Sequence, residues 1–319
     1  MLAPLLIAAS LAIAFANGAN ANFKGVASLL GSGTTGFRTA LHWSMLATAA
    51  GSAAALAGNG VLLATFSGKG LVPDALAADP AFLLSTAMGA ALANLLATRL
   101  GFPVSTTHML MGGLLGAGLA ADPSEVSVVR LWESFAKPLL LAPLIAIVLG
   151  GLLYIALRRM RLASNHRNRP LDALHFLSAG SVCFARGMND TPKIAALLVG
   201  VAGFRASPAL VLVGIAIALG GVLGSRRVAE TLAHKITAMD PGQGFAANLT
   251  SAFLVMLGSF KGLPLSTTHV TVGALLGIGI TTRQAKWRTV VPVLLAWVVT
   301  LPCAAALAAL VFSLARSYA

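Results

Sequence analysis

The chain has 319 residues, 57% of them hydrophobic and only 10% charged, and its 22 Lys and Arg against 9 Asp and Glu give a net charge of +13. No soluble core uses that much apolar surface, so the chain reads as a membrane protein, and at roughly 20 residues per crossing it holds about ten spans and no soluble enzyme domain. The basic residues sit in short loops between apolar runs and aromatics are 6% of the chain, a distribution that sets membrane orientation and excludes a nucleic-acid groove.

The first apolar run, 2–33, is interrupted near 17–24. Leu5–Phe15 and Ala19-Asn20-Ala21 have the form of a signal-peptide core and cleavage site, but no Lys or Arg precedes them, so this run is expected to stay as a membrane segment. Runs at 40–66, 82–100, 104–121 and 132–157 follow. The basic stretch Arg158–Arg169 then marks a linker, 158–171, between a first unit, 1–157, and a second, 172–319. The second unit has runs at 172–203 (interrupted near 186–193), 208–226, 243–260, 264–280 and 289–315.

The linker is the longest basic stretch and is expected on the cytoplasmic side. Alternation puts the loops near Arg38, Arg226-Arg227-Lys235 and Arg283-Lys286-Arg288 on that side as well, and those of Asp74, Asp79, Asp122 and Glu125 on the other. Five segments per unit is an odd number, so the second unit must enter the membrane from the side opposite to the first. That is the arrangement of inverted-repeat transporters, whose substrate site lies between the repeats near the bilayer midplane. Cys183 and Cys303 lie far apart without metal-binding spacing and read as small core residues.

Two motifs recur in the same order in both units. Phe15–Lys24 aligns without a gap on Phe184–Lys193, with Phe, Ala, Gly, Asn and Lys coinciding. Pro103-Val104-Ser105-Thr106-Thr107-His108 aligns on Pro264-Leu265-Ser266-Thr267-Thr268-His269, and the match runs on through Gly112/Gly273, Gly116/Gly277 and Gly118/Gly279. A duplication extended over matched Pro, Gly and Leu positions is an internal repeat.

Each motif has a physical reading. Polar residues and Gly inside a span are tolerated where the segment lines a cavity, so Asn20 and Asn189 are expected at broken helices. Their carbonyl oxygens, with the carboxylate of Asp190, are hard ligands suited to a small cation such as sodium. The bland alternatives are that the two Asn brace neighbouring helices and that Asp190 pairs with Lys193 or Arg186. Lys24 and Lys193, at matched positions, could stand in part for a bound cation. In the second motif, a Gly-x-Pro turn joins two apolar arms and Ser-Thr-Thr opens the second arm. Capping hydroxyls and a helix N-terminus there can hold an oxyanion. His108 and His269 are expected to pack behind the turn and support it, while Arg99 and Lys261 either raise the local potential or snorkel to an interface.

These residues resemble the PiT family of inorganic phosphate transporters, marked by a duplicated Gly-x-Asn-Asp element and a duplicated Pro-x-Ser-Thr-Thr-His element, over nearly the whole chain. The resemblance implies an all-α polytopic membrane protein of two inverted-topology repeats, with broken helices and paired helical hairpins, in the plasma or inner cell membrane. It implies uptake of phosphate coupled to sodium or protons by alternating access, no enzymatic activity, no cofactor beyond a bound sodium ion, and a homodimer. It places anion contacts at Ser105, Thr106, Thr107, Ser266, Thr267 and Thr268, and cation or substrate contacts at Asn20, Asn189 and Asp190. One departure stands out: Ala21 occupies the place of the family's first Asp, whereas Asp190 is kept. Because a carboxylate can accept a hydrogen bond from protonated phosphate, losing one keeps sulfate open as the alternative anion, and a transport-deficient sensor as the alternative role.

Overall fold

The structure is a computed structural model that describes residues 2–58, 60–200, 204–236 and 239–317. Among these residues every regular element is helical, apart from one isolated bridge between Lys69 and Val72. Ten principal helices follow the ten apolar runs: α1 (Leu2–Ala21), α2 (Phe37–Ala54), α3 (Pro80–Arg99), α4 (Thr106–Ala121), α5 (Lys137–Arg159), α6 (Arg169–Val199), α7 (Ala206–Gly224), α8 (Pro241–Phe260), α9 (Thr267–Thr281) and α10 (Trp287–Ser317). The end of the run 172–203 lies outside the described residues.

Among the described residues, five helical stretches are long and apolar enough to cross a membrane: Leu2–Ala21, Pro80–Arg99, Val128–Arg159, Ala206–Gly224 and Trp287–Ser317. The radial distribution of polarity agrees. Leu140, Leu144, Val148 and Leu152 form an exposed stripe along α5, and Leu295, Val298 and Val299 do the same on α10, while Lys24, Arg186 and Lys193 are buried. A protein that hides its charges and presents aliphatic side chains outward is solvated by lipid.

The expected interruptions differ between the copies. α1 ends at Ala21, the chain turns through Asn22–Val26, and a short helix, Ala27–Gly31, resumes, so the first copy is broken just after Asn20. The second copy is not broken: α6 runs unbroken through Asn189, Asp190 and Pro192. This corrects the expectation for Asn189. Gly25 follows Lys24 and weakens a helix there, whereas Lys193 is followed by Ile-Ala-Ala-Leu-Leu, which carries the helix on past Pro192. The connection between the two units is also shorter than 158–171, since α5 keeps Arg159 and α6 begins at Arg169.

Packing repeats between the halves. α1 lies against α7 and α3, and α6 against α2 and α8; α4 packs on α10, and α9 on α5. The first helix of each unit is thus seated on the second helix of the other. Close approach there depends on glycine: a Cβ on Gly18 would stand 1.9 Å from Ile217 O, and one on Gly187, its counterpart, 2.2 Å from Thr48 O.

Loop contacts sort the helix ends into two groups. Arg167 Nη1 donates to Gly33 O at 3.0 Å, Gly242 N to Ser164 O at 3.2 Å, and Lys286 N to Ile236 O at 3.1 Å. These gather the linker with the outer ends of α8 and α9. Ser127 N donates to Leu71 O at 2.8 Å and Arg316 pairs with Asp79 at 3.3 Å, which gathers the outer ends of α3 and α4 with the end of α10.

Candidate functional site

α3 and α4 form one helical hairpin, α8 and α9 the other, and each turns through a glycine in the left-handed region: Gly101 at φ 78° and Gly262 at φ 65°. Only glycine takes that conformation without strain. Ser105 then caps α4 by accepting from His108 N at 3.2 Å, and Ser266 caps α9 by accepting from His269 N at 3.2 Å. Ser-Thr-Thr therefore opens each second arm, as the sequence predicts. Ser105, Thr106, Thr107, Ser266, Thr267 and Thr268 are all buried. The first-turn N–H groups of a helix have no acceptor within it, so each tip is a region of positive potential.

The two lysines tie the tips together in a crossed pattern. Lys24 Nζ donates to Val104 O of the first tip at 3.0 Å and to Thr268 Oγ1 of the second. Lys193 Nζ donates to Leu265 O of the second tip at 2.6 Å and to Thr107 Oγ1 of the first at 2.9 Å. The hydroxyls close the cross, Thr268 donating to Val104 O at 2.6 Å and Thr107 to Leu265 O at 3.2 Å. Within this cross, every contact in one half has its counterpart in the other.

The asparagines brace the hairpins. Asn20 donates to Thr98 Oγ1 and Phe102 O, both at 2.9 Å, and its carbonyl oxygen accepts from Val104 N at 3.0 Å. Asn189 donates to Leu265 O at 3.1 Å and accepts from Ser259 Oγ at 3.2 Å. Here the bracing alternative describes what both side chains do.

Asp190 sits among donors. Asn189 Nδ2 donates to its Oδ1 and Asn17 Nδ2 to its Oδ2, each at 3.1 Å. Lys193 Nζ is 3.6 Å and Arg186 Nε 3.7 Å away. Arg186 is fixed in turn by Asn22 Oδ1 at 3.0 Å, Thr48 Oγ1 at 3.3 Å and Asn17 Oδ1. Burial without compensation would be costly for either charge, and the pair supplies it.

Behind the tips, the His108 and His269 rings meet edge to face with centroids 4.4 Å apart, and His269 lies on Trp297 at 3.9 Å. Trp297 Nε1 donates to Pro103 O at 3.3 Å, so this stack supports the first turn. Arg99 and Lys261 are exposed, as snorkelling residues are.

Several participants escaped the sequence reading. Asn17 and Asn94 both donate to Thr106 Oγ1, at 2.8 and 3.1 Å. Thr98 and Ser259, isolated polar residues in apolar helices, were visible as such. Val104 and Leu265 act through main-chain carbonyls, on which their side chains are silent.

The sequence pattern of the Phosphate transporter family matches residues 17–308. A Rhizobium meliloti (strain 1021) protein named "Probable low-affinity inorganic phosphate transporter" is 31% identical over 272 residues, 79% of each chain. A Bacillus subtilis (strain 168) protein of the same name is 30% identical over 243 residues, 72% of this chain and 73% of that protein. Among solved structures, one titled "The sodium-dependent phosphate transporter" superposes over 100% of both chains with a TM-score of 0.84 at 23% identity, a likeness of fold.

Proposed function

From its membership of the phosphate transporter family, to which this chain belongs, we propose that it carries inorganic phosphate into the cell across the plasma or inner membrane, in symport with a sodium ion or a proton, by alternating access between two inverted repeats. The linker faces the cytoplasm in this reading. The phosphate site lies between the hairpin tips: Ser105, Thr106, Thr107 and their counterparts Ser266, Thr267 and Thr268 offer hydroxyls and helix N-termini, and Lys24 and Lys193 offer charge.

The observation that carries this reading is the crossed pairing of the two lysines with the two tips. An ammonium group has three protons, and two on each lysine are engaged there, which leaves a donor for an anion. Inversion is supported by the loop contacts, in which one hairpin shares its outer ends with Leu71 and Asp79 and the other with the linker. Matched polar pairs also argue against catalysis, which needs a nucleophile and a distinct base.

Uptake of labelled phosphate into proteoliposomes, with unlabelled sulfate as competitor and with the pH gradient imposed or collapsed, tests the reading. Phosphate accumulation that sulfate does not inhibit is expected. Accumulation of sulfate in preference would reassign the anion, and none of either would end the transport reading.

A further inference from the structure

The two copies of the first motif differ in charge at two positions four residues apart on the same helix. Asn17 and Ala21 in the first copy correspond to Arg186 and Asp190 in the second, and all four are buried. The differences are electrically matched: the first copy has neither charge, the second has both, and they pair at 3.7 Å. Each copy therefore contributes no net charge from these positions. The buried charges left over are Lys24 and Lys193, which the symmetric contacts hold between the tips.

A sodium ion does not fit this donor set. It needs several oxygen lone pairs converging on one point. Asp190 is met instead by two amide N–H groups, a guanidinium and an ammonium. The carbonyl oxygens of Asn20 and Asn189 are engaged by Val104 N and Ser259 Oγ. At Ala21 no carboxylate exists. A cation approaching Asp190 would meet two fixed positive charges first, one of them a guanidinium that keeps its charge at any physiological pH.

We infer that this chain carries its counter-cations in its own sequence: Arg186 neutralises Asp190 where a coupling sodium would otherwise meet the carboxylate, Lys24 and Lys193 balance a doubly charged phosphate, and uptake is independent of sodium. The inference rests on the phosphate-transport reading and narrows its coupling ion.

The test is the initial rate of labelled phosphate uptake by the full-length protein in proteoliposomes, with a fixed pH gradient, in sodium chloride or in N-methylglucamine chloride. Equal rates are expected. In Arg186→Asn, which copies Asn17, Asp190 loses its guanidinium and sodium is expected to raise the rate severalfold; Arg186→Lys should stay indifferent to sodium. Sodium stimulation of the unaltered protein overturns the inference and leaves phosphate transport standing. A folded, active Arg186→Asn that ignores sodium overturns the role given to Arg186. If the unaltered protein takes up no phosphate in either salt and phosphate does not raise its melting temperature in sodium-free detergent, the transport reading fails and the inference with it.

Discussion

The Arg186–Asp190 pair can be tested by a double-mutant cycle on stability. Both side chains are nearly inaccessible, at 1% and 5% exposure, and stand 3.7 Å apart one helical turn from each other. Asp190→Ala strands a permanently charged guanidinium among Asn17, Asn22 and Thr48, and breaking a buried pair in this way costs about 3–5 kcal/mol. Arg186→Asn costs less, about 1–3 kcal/mol, because Asp190 keeps Lys193 and the two asparagine amides. The double variant reproduces the neutral Asn17/Ala21 arrangement that the first copy already tolerates. It is expected to be no less stable than Asp190→Ala alone. Thermal unfolding of the purified protein in detergent, followed by tryptophan fluorescence, is the assay. At about 2 °C per kcal/mol, Asp190→Ala should lower Tm by roughly 6–10 °C. If the double variant falls by the sum of the two single losses, the side chains are uncoupled and the matched-pair argument is wrong.

Lys24→Met and Lys193→Met should each weaken phosphate binding about 10- to 100-fold by titration calorimetry, as loss of a charged hydrogen bond requires; an effect at only one of them would refute a symmetric site. Ala21→Asp places a carboxylate four residues from Asn17 instead of an arginine, so phosphate uptake by this variant is expected to become sodium-stimulated, and unchanged uptake in sodium-free buffer would contradict that. Gly187→Val puts a side chain into the 2.2 Å approach of Thr48 O and should abolish the monodisperse peak in size-exclusion chromatography. Arg167→Ala removes the linker's partly exposed pair with Asp172 of α6 and its hydrogen bond to Gly33 O, and should move Tm by less than about 2 °C, as ion pairs near solvent contribute little.

What the sequence disclosed follows from what a repeat can disclose. Ten apolar runs became ten helices because lipid leaves the backbone no other way to pair its polar groups along a span. The capping role of Ser105 and Ser266 was legible because a hydroxyl after a Gly-x-Pro turn has a local task. The continuity of α6 was not legible. Gly187, Asn189 and Pro192 each weaken a helix on intrinsic propensity, and their cost is offset by partners from α2 and the second tip, which are remote in sequence. The carbonyls of Val104 and Leu265 were hidden for a different reason: a main-chain acceptor carries no residue identity. The roles of Asn20 and Asn189 were visible as alternatives, and the hydrogen bonds to Thr98 and Ser259 show the bracing contacts that the sequence does not name.

The crossed contacts also constrain how the two tips can move. Lys24 and Lys193 each hold a carbonyl of one hairpin and a threonine hydroxyl of the other, so an anion taken by the remaining proton of either lysine is tied to both hairpins at once. Under the transport reading, substrate binding and tip movement are then coupled, and the differential affinity that a conformational change requires is supplied by the same two ammonium groups. Because the two sets of contacts are equivalent, they do not by themselves favour opening to one face over the other. The bias must come from what is unequal: the turn after Ala21, where the first copy is broken, against the unbroken α6 with its Arg186–Asp190 pair. The Asp190 carboxylate, itself paired with Arg186 on a continuous helix, holds Lys193 from one side at 3.6 Å, whereas Lys24 has only Ala21 and Asn17 at the corresponding places. Lys24 is thus the freer of the two lysines, and the first tip the one expected to yield first.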